Sequence, residues 1–353
     1  MRSLSATLAT LILSLNVLAA TIRAVGPMTT ARQEHTATLL ADGTVLIAGG
    51  VNSMGPDIPL HEEIYDPQTR TFHAIAGMET ARLGHAAITL QDGEVLLVGG
   101  FSSSAANSET YTPTLGAFSS LAPMSGERYH VGAVRLADGR VLAVGGNRGG
   151  MAIGTSEIFN PTSGAWATGA SMSQPREGPV VVRLNDGRVV VGGGSNASPV
   201  EFFDPASGKF TVVPNTLVFA LHGLLLPSGK MLFVGLGMLQ VFDPATGAVI
   251  TSSNRLKTYR GEAVVLLPDG TVLIAGGNVD GSVLSDAVYI WSPAADSLTS
   301  IGKLTVARDT PTATPLQDGT VLITGGFTLP GFASSAVAEI ITFGPSRARA
   351  VRH

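Results

Sequence analysis

The sequence predicts an all-β fold: a seven-bladed β-propeller of four-stranded blades, with the N-terminal strand closing the last blade. Three observations predict it. A turn signal recurs seven times at 41- to 50-residue spacing, an aromatic–x–proline signal follows each copy, and helical periodicity is absent between them.

The turn signal comes first in each unit. Asp42-Gly43 precedes Gly49-Gly50, Asp92-Gly93 precedes Gly99-Gly100, and Asp138-Gly139 precedes Gly145-Gly146. Asp186-Gly187 precedes Gly193-Gly194, Asp269-Gly270 precedes Gly276-Gly277, and Asp318-Gly319 precedes Gly325-Gly326. A degenerate fifth copy has Ser228-Gly229 and then Gly235-Leu236. Asp-Gly between apolar runs supplies the positive φ angles of a two-residue hairpin. The run Val45-Leu46-Ile47-Ala48 and its copies are continuously apolar, as a strand buried on both faces requires. The paired glycines end that strand where backbones must approach or bend.

The second signal reads Tyr65-Asp66-Pro67, Tyr111-Thr112-Pro113, Phe159-Asn160-Pro161 and Phe203-Asp204-Pro205. It continues as Phe242-Asp243-Pro244, Trp291-Ser292-Pro293 and Phe343-Gly344-Pro345. A third, Met-x-x-x-Arg, lies at Met78/Arg82, Met124/Arg128 and Met172/Arg176, with Leu304/Arg308 as a variant. Each unit thus holds about four short strands. Such a unit cannot bury its faces alone, so the units stack radially.

These marks resemble the kelch repeat family, in which a double glycine is followed by Tyr/Phe and then Trp/Phe. The later aromatic is Phe72, Phe118, Trp166 or Phe210 here, weakening to Val249 and Leu298. The resemblance covers residues 21–345, and the count of seven is similar to the central domain of the galactose oxidase superfamily. That family's copper-radical site implies a tyrosine cross-linked to cysteine and a histidine from a further C-terminal domain. The chain has no cysteine, so copper-radical oxidation is rejected and no metal or other cofactor is expected.

The ring closes through the N-terminus. Ile22 sits six residues before Met28, as Phe72 sits six before Met78, so Thr21 to Val25 is assigned the outer strand of blade 7. Residues 1–20 read as a signal peptide: Arg2, then an apolar stretch to Ala19 and Ala20. Residues 21–346 form the propeller and 347–353 a short basic tail. The expected protein is secreted, periplasmic or at the cell surface, monomeric, and without a transmembrane segment after cleavage.

Composition narrows function. The 353 residues carry 22 Lys+Arg against 26 Asp+Glu, with 14% charged residues and 43 glycines. The near-neutral balance excludes a nucleic-acid binder driven by counterion release, and the lack of cysteine excludes disulfide frameworks and thiolate sites.

The connections between strands two and three, and between blades, share one face of a propeller. The former vary in length and include Val51–Glu63, Asn147–Glu157, Asn278–Ala287 and Phe327–Ala338, so the site is sought there. Arg32, Arg82, Arg128, Arg176 and Arg308 stand ten residues before their Asp-Gly pairs; Val218 and Tyr259, with adjacent Arg260, replace them in blades 5 and 6. They are expected at the channel mouth, either bonding carbonyls of the neighbouring blade or holding a carboxylate or phosphate bidentately. His35 and His85 occupy equivalent positions nearby, and His130 is displaced by one. Glu34, Glu127, Glu177 and Glu262 are the carboxylates expected to neutralise the arginines or act as acids and bases.

The functional expectation is a non-catalytic scaffold binding an unidentified protein, peptide or glycan through this loop face, with an acidic group on the ligand. The alternatives are an enzyme acting on a sugar acid as a mutarotase, and a passive surface component.

Overall fold

The computed structural model describes residues 20–53, 61–101, 108–331 and 333–344. The expected leader (apart from Ala20), the tail and Pro345 lie outside the described residues. Seven four-stranded antiparallel sheets form a seven-bladed β-propeller, and no helix occurs among the described residues. Blade 1 runs through strands Thr36–Leu39, Val45–Ala48, His61–Asp66 and Thr71–Ala76, in that spatial order. Blade 7 takes Thr312–Pro315, Val321–Thr324 and Ala338–Thr342 from the C-terminal end and Thr21–Ala24 from the N-terminal end. Ile22 pairs with Ile341, as Phe72 pairs with Tyr65 in blade 1. The ring therefore closes as the sequence predicts.

The Asp-Gly turns form for a local reason. Asp42 Oδ1 accepts a hydrogen bond from the Thr44 N–H at 2.9 Å, and Asp92, Asp138, Asp186, Asp269 and Asp318 repeat the contact. The apolar second strands are buried throughout: Val45–Ala48, Val95–Val98, Val141–Val144, Val189–Gly192 and Val321–Thr324. Their side chains feed seven apolar clusters, one at each blade–blade interface. That between blades 7 and 1 joins Ile47, Tyr65 and Phe72 to Leu322, Ala338 and Ile340.

The double glycines let neighbouring blades close up. A Cβ at Gly49 would lie 2.4 Å from the Arg82 carbonyl, and φ there is +64°. In the degenerate fifth copy Leu236 takes a left-handed φ of 51°. The seventh aromatic expectation needs correction. Val321 faces Ile341, as Val45 faces Tyr65, so Ile341 fills the aromatic position and Phe343 lies two residues beyond it.

Candidate functional site

The five repeat arginines are interior groups, each at most 1% exposed. One guanidinium nitrogen donates to the carbonyl of the first paired glycine seventeen residues on. The distances are 3.0 Å for Arg32–Gly49, 3.1 Å for Arg82–Gly99, 3.0 Å for Arg128–Gly145, 3.2 Å for Arg176–Gly193 and 3.3 Å for Arg308–Gly325. The charge is met by a buried glutamate on strand three of the same blade. Arg82–Glu109 is 2.7 Å, Arg128–Glu157 3.0 Å, Arg176–Glu201 3.0 Å and Arg32–Glu63 3.2 Å, and Arg308 pairs with Glu339.

Each carboxylate also accepts backbone N–H groups from the connection entering its blade: Thr29, Glu79, Ser125, Ser173 and Thr305. Arginine, glycine carbonyl and glutamate thus tie strand one, strand two, strand three and the entering loop together. Glu127 and Glu177, expected as partners because they adjoin Arg128 and Arg176 in sequence, do not pair with them. Adjacent residues in extended chain point to opposite faces, whereas strand three brings a glutamate across the blade.

The pair changes as a unit where it changes at all. In blade 5 Val218 stands at the arginine position and Gln240 at the glutamate position. Gln240 accepts from the Phe219 N–H at 2.9 Å and donates to the Leu217 carbonyl at 3.3 Å. In blade 6 the two positions hold Tyr259, which is 54% exposed, and Tyr289. A buried charge left without its partner is costly, so both ends are replaced together. Adjacent Arg260 is exposed, and its charge acts on Asp309.

Two residues after each repeat arginine, and after Tyr259 in blade 6, the chain turns left-handed. Glu34, Gly84, His130, Gly178, Gly261 and Thr310 all have φ between 50° and 74°. At this level neighbouring innermost strands are linked by backbone hydrogen bonds. Gly84 N–H donates to Glu34 O at 3.1 Å, His130 N–H to Gly84 O at 2.9 Å, and Gly178 N–H to His130 O at 2.9 Å. These linked residues lead into the innermost strands at the channel mouth, and the side chains they carry in blades 1 and 3 are Glu34 and His130.

Those two meet above glycine 84. The Tyr129 and His130 rings stack at 3.7 Å between centroids. Tyr129 donates its hydroxyl to Glu34 Oε2 at 2.7 Å, reaching from blade 3 to blade 1. This reach needs Gly84, because a Cβ there would lie 2.3 Å from the Tyr129 ring. His130 Nε2 is 3.6 Å from Glu34 Oε2, and its Nδ1 is 3.1 Å from Glu177 Oε1 in blade 4. Asn147 donates to the other Glu177 oxygen at 3.0 Å.

The three ionisable side chains are 27–37% exposed, so solvent and small solutes reach them. Burial alone would lower the His130 pKa, but the hydrogen bonds and charges of Glu34 and Glu177 outweigh it and raise it. Burial would raise Glu34; His130 and Tyr129 bonding outweighs that and holds it below the usual carboxylate range. Held between two carboxylates, His130 favours its charged form.

His35 and His85 lie one residue further along, inside blade interfaces. His35 Nε2 shares a hydrogen bond with Thr324 Oγ1 at 3.1 Å, and His85 Nε2 with Thr36 Oγ1 at 3.0 Å. Burial, aided by the charges of nearby arginines, lowers both to about 3, so they are neutral packing groups. The one-residue displacement of His130 moves it from this interface to the channel mouth. Glu262 holds the same repeat position as His35 and His85. Burial raises it and Asp309.

Sequence reasoning named Glu34, His130 and Glu177 but neither Tyr129 nor Asn147, and it missed the arginines' true partners. The available signal was glutamate two residues before the strand-three aromatic, at Glu63, Glu109, Glu157 and Glu201. Among the described residues no group of three or more His, Cys, Asp or Glu is placed to hold a metal ion, and no helix is long and apolar enough to cross a membrane.

No known family model and no curated protein matches the sequence. Among solved structures the fold is similar to a fungal alcohol oxidase of the AA5 family, described as catalytically diverse and solved in complex with copper. The TM-score is 0.77 at 17% identity, covering 92% of this chain and 76% of that one. This bears out the seven-bladed β-propeller and its resemblance in fold to a galactose oxidase-type protein. It also corrects the expectation of a non-catalytic scaffold: the fold this chain shares is that of a catalytic oxidase.

Proposed function

We propose that the channel mouth is an acid–base catalytic site for a small polar molecule, built on His130, Glu34 and Glu177. The observation that carries the reading is the His130 ring held between two carboxylates from other blades, stacked on Tyr129 and set on a left-handed backbone. Backbone held in sparsely populated conformations clusters at active sites. The imidazolium is the acid, and Glu34, kept ionised, is the base. Tyr129 and Asn147 fix the carboxylates. Two carboxylates around one imidazolium favour a neutral or cationic substrate, such as a hydroxylated carbonyl compound. The residues do not fit the copper-radical centre of the oxidase family that the fold resembles: the chain has no cysteine for the cross-linked tyrosine. No step here runs through copper. Residues 1–20 are taken as the signal that exports the propeller.

The test is solvent exchange. The protein is incubated in deuterium oxide with a panel of small hydroxylated aldehydes and ketones, and loss of C–H signals beside the carbonyl is followed by proton NMR. At least one compound is expected to exchange, and the rate to fall about a hundredfold or more in His130→Gln. No exchange across the panel, or exchange that His130→Gln retains, contradicts the reading.

A further inference from the structure

A groove of about 560 Å³ opens between blades 5 and 6 on the opposite face of the ring, among the hairpin turns. Its origin is legible in two repeat positions. In blades 1 to 4 a strand-four aromatic leans on the strand-three aromatic, with ring centroids 4.8, 4.9, 5.1 and 5.0 Å apart. In blade 6 the strand-four residue opposite Trp291 is Leu298. On the facing blade, Ser252 stands where blades 1, 2 and 4 place Ile75, Leu121 and Val213. Two of these, Ile75 and Leu121, pack into the core shared with the next blade's aromatic, Tyr111 or Phe159; Val213 does the same beside Phe242. Ser252, the smaller residue on the blade 5 side, lines the groove, and on the blade 6 side Leu298 lies in the apolar core beside the lining Trp291.

Polar groups finish the site. Ser252 donates its hydroxyl to Asp296 Oδ1 at 2.5 Å, and Trp291 Nε1 donates to the same oxygen at 3.1 Å. Asp296 itself has a φ of 44°. The walls are apolar, with Pro227, Val241, Pro293 and Ile250, the last 62% exposed. The charged lining is Asp269, Asp296 and Lys230, and Lys230 is met by Asp243 at 3.4 Å. The groove therefore combines an apolar floor with a net negative rim, and its volume suits a small organic ligand.

We infer that this groove binds a small amine with an apolar body, the walls taking the body and the Asp269 and Asp296 rim taking the ammonium. Burial of the body supplies affinity and the carboxylates supply selection for the cation.

Phenethylamine is the probe, compared with phenethyl alcohol and 3-phenylpropionate by NMR titration of the indole N–H resonances. The amine is expected to shift the Trp291 resonance and to bind at least tenfold more tightly than the alcohol, with the acid weakest. Leu298→Phe, which restores the residue type of blades 1, 2 and 4, is expected to weaken amine binding at least tenfold. Asp296→Asn keeps the acceptor for Ser252 and Trp291 and is expected to reduce the preference for amine over alcohol. An unmoved Trp291 resonance in the unaltered protein, equal binding of amine and alcohol, or full binding by a folded Leu298→Phe variant would each overturn the inference.

Discussion

Arg82 illustrates how a residue that invites a ligand reading becomes a structural one. Its guanidinium reaches the Gly99 carbonyl and the Glu109 carboxylate inside its own blade. Removing one end leaves the other charge buried alone, so Arg82→Ala is expected to cost about 3–5 kcal/mol in denaturant unfolding. The Val218/Gln240 pair of blade 5 shows an uncharged solution. Arg82→Val combined with Glu109→Gln is therefore expected to destabilise less than the sum of the two single changes, read as a favourable coupling in a double-mutant cycle. Strict additivity would contradict the pairing account.

His85 carries a second residue-scale prediction. It is neutral when folded, with a pKa near 3 against an ordinary 6.5. Its contribution to stability is complete above the ordinary value and is lost as pH falls from there toward 3, by about 1.4 kcal/mol per pH unit. His85→Asn is expected to flatten the acid limb of a stability–pH profile. An unchanged limb would place the acid sensitivity elsewhere.

At the scale of the element, what was legible had a local cause. The Asp-Gly turns, apolar second strands and paired glycines each state their geometry in sequence, so blades and their order could be read directly. Partner choice could not. Glu157 meets Arg128 only because strand three folds back across the blade, and the adjacent Glu127 looked nearer on paper. Ile341 was missed because an aromatic–x–Pro signal two residues later stood in its place. His130 was set apart from His35 and His85 by a single residue, which in extended chain moves a side chain to another face. The channel-mouth element also makes a prediction. Gly84→Ala puts a methyl against the Tyr129 ring at a φ of 60°. It is expected to cost about 1–3 kcal/mol and to lower the His130 pKa by pushing the imidazole ring, whose Cδ2 would lie 2.8 Å from the new Cβ, away from Glu34. A wild-type pKa in this variant would contradict that linkage.

For the whole molecule, closure rests on four residues from the N-terminal end. Thr21–Ala24 is the outermost strand of blade 7, and Ile22 packs into the core between blades 6 and 7. Deleting residues 21–25 exposes the edge of strand Ala338–Thr342. The expected result is a lower melting temperature and concentration-dependent association in sedimentation velocity, because a free strand edge is a pairing template. Unchanged melting and a monomer would show that the ring does not depend on this strand. The likeness to a copper-bound alcohol oxidase is one of architecture, and the chemistry proposed for this chain rests on its own channel mouth.

The most direct test of that argument is the titration of His130 by carbon-detected or proton–carbon NMR, with His130→Gln to assign the signal. The account predicts a pKa above the ordinary 6.5, falling in both Glu34→Gln and Glu177→Gln. A value at or below 6.5, or one that neither substitution moves, would show that the carboxylates do not hold this imidazolium and would remove the acid from the proposed site.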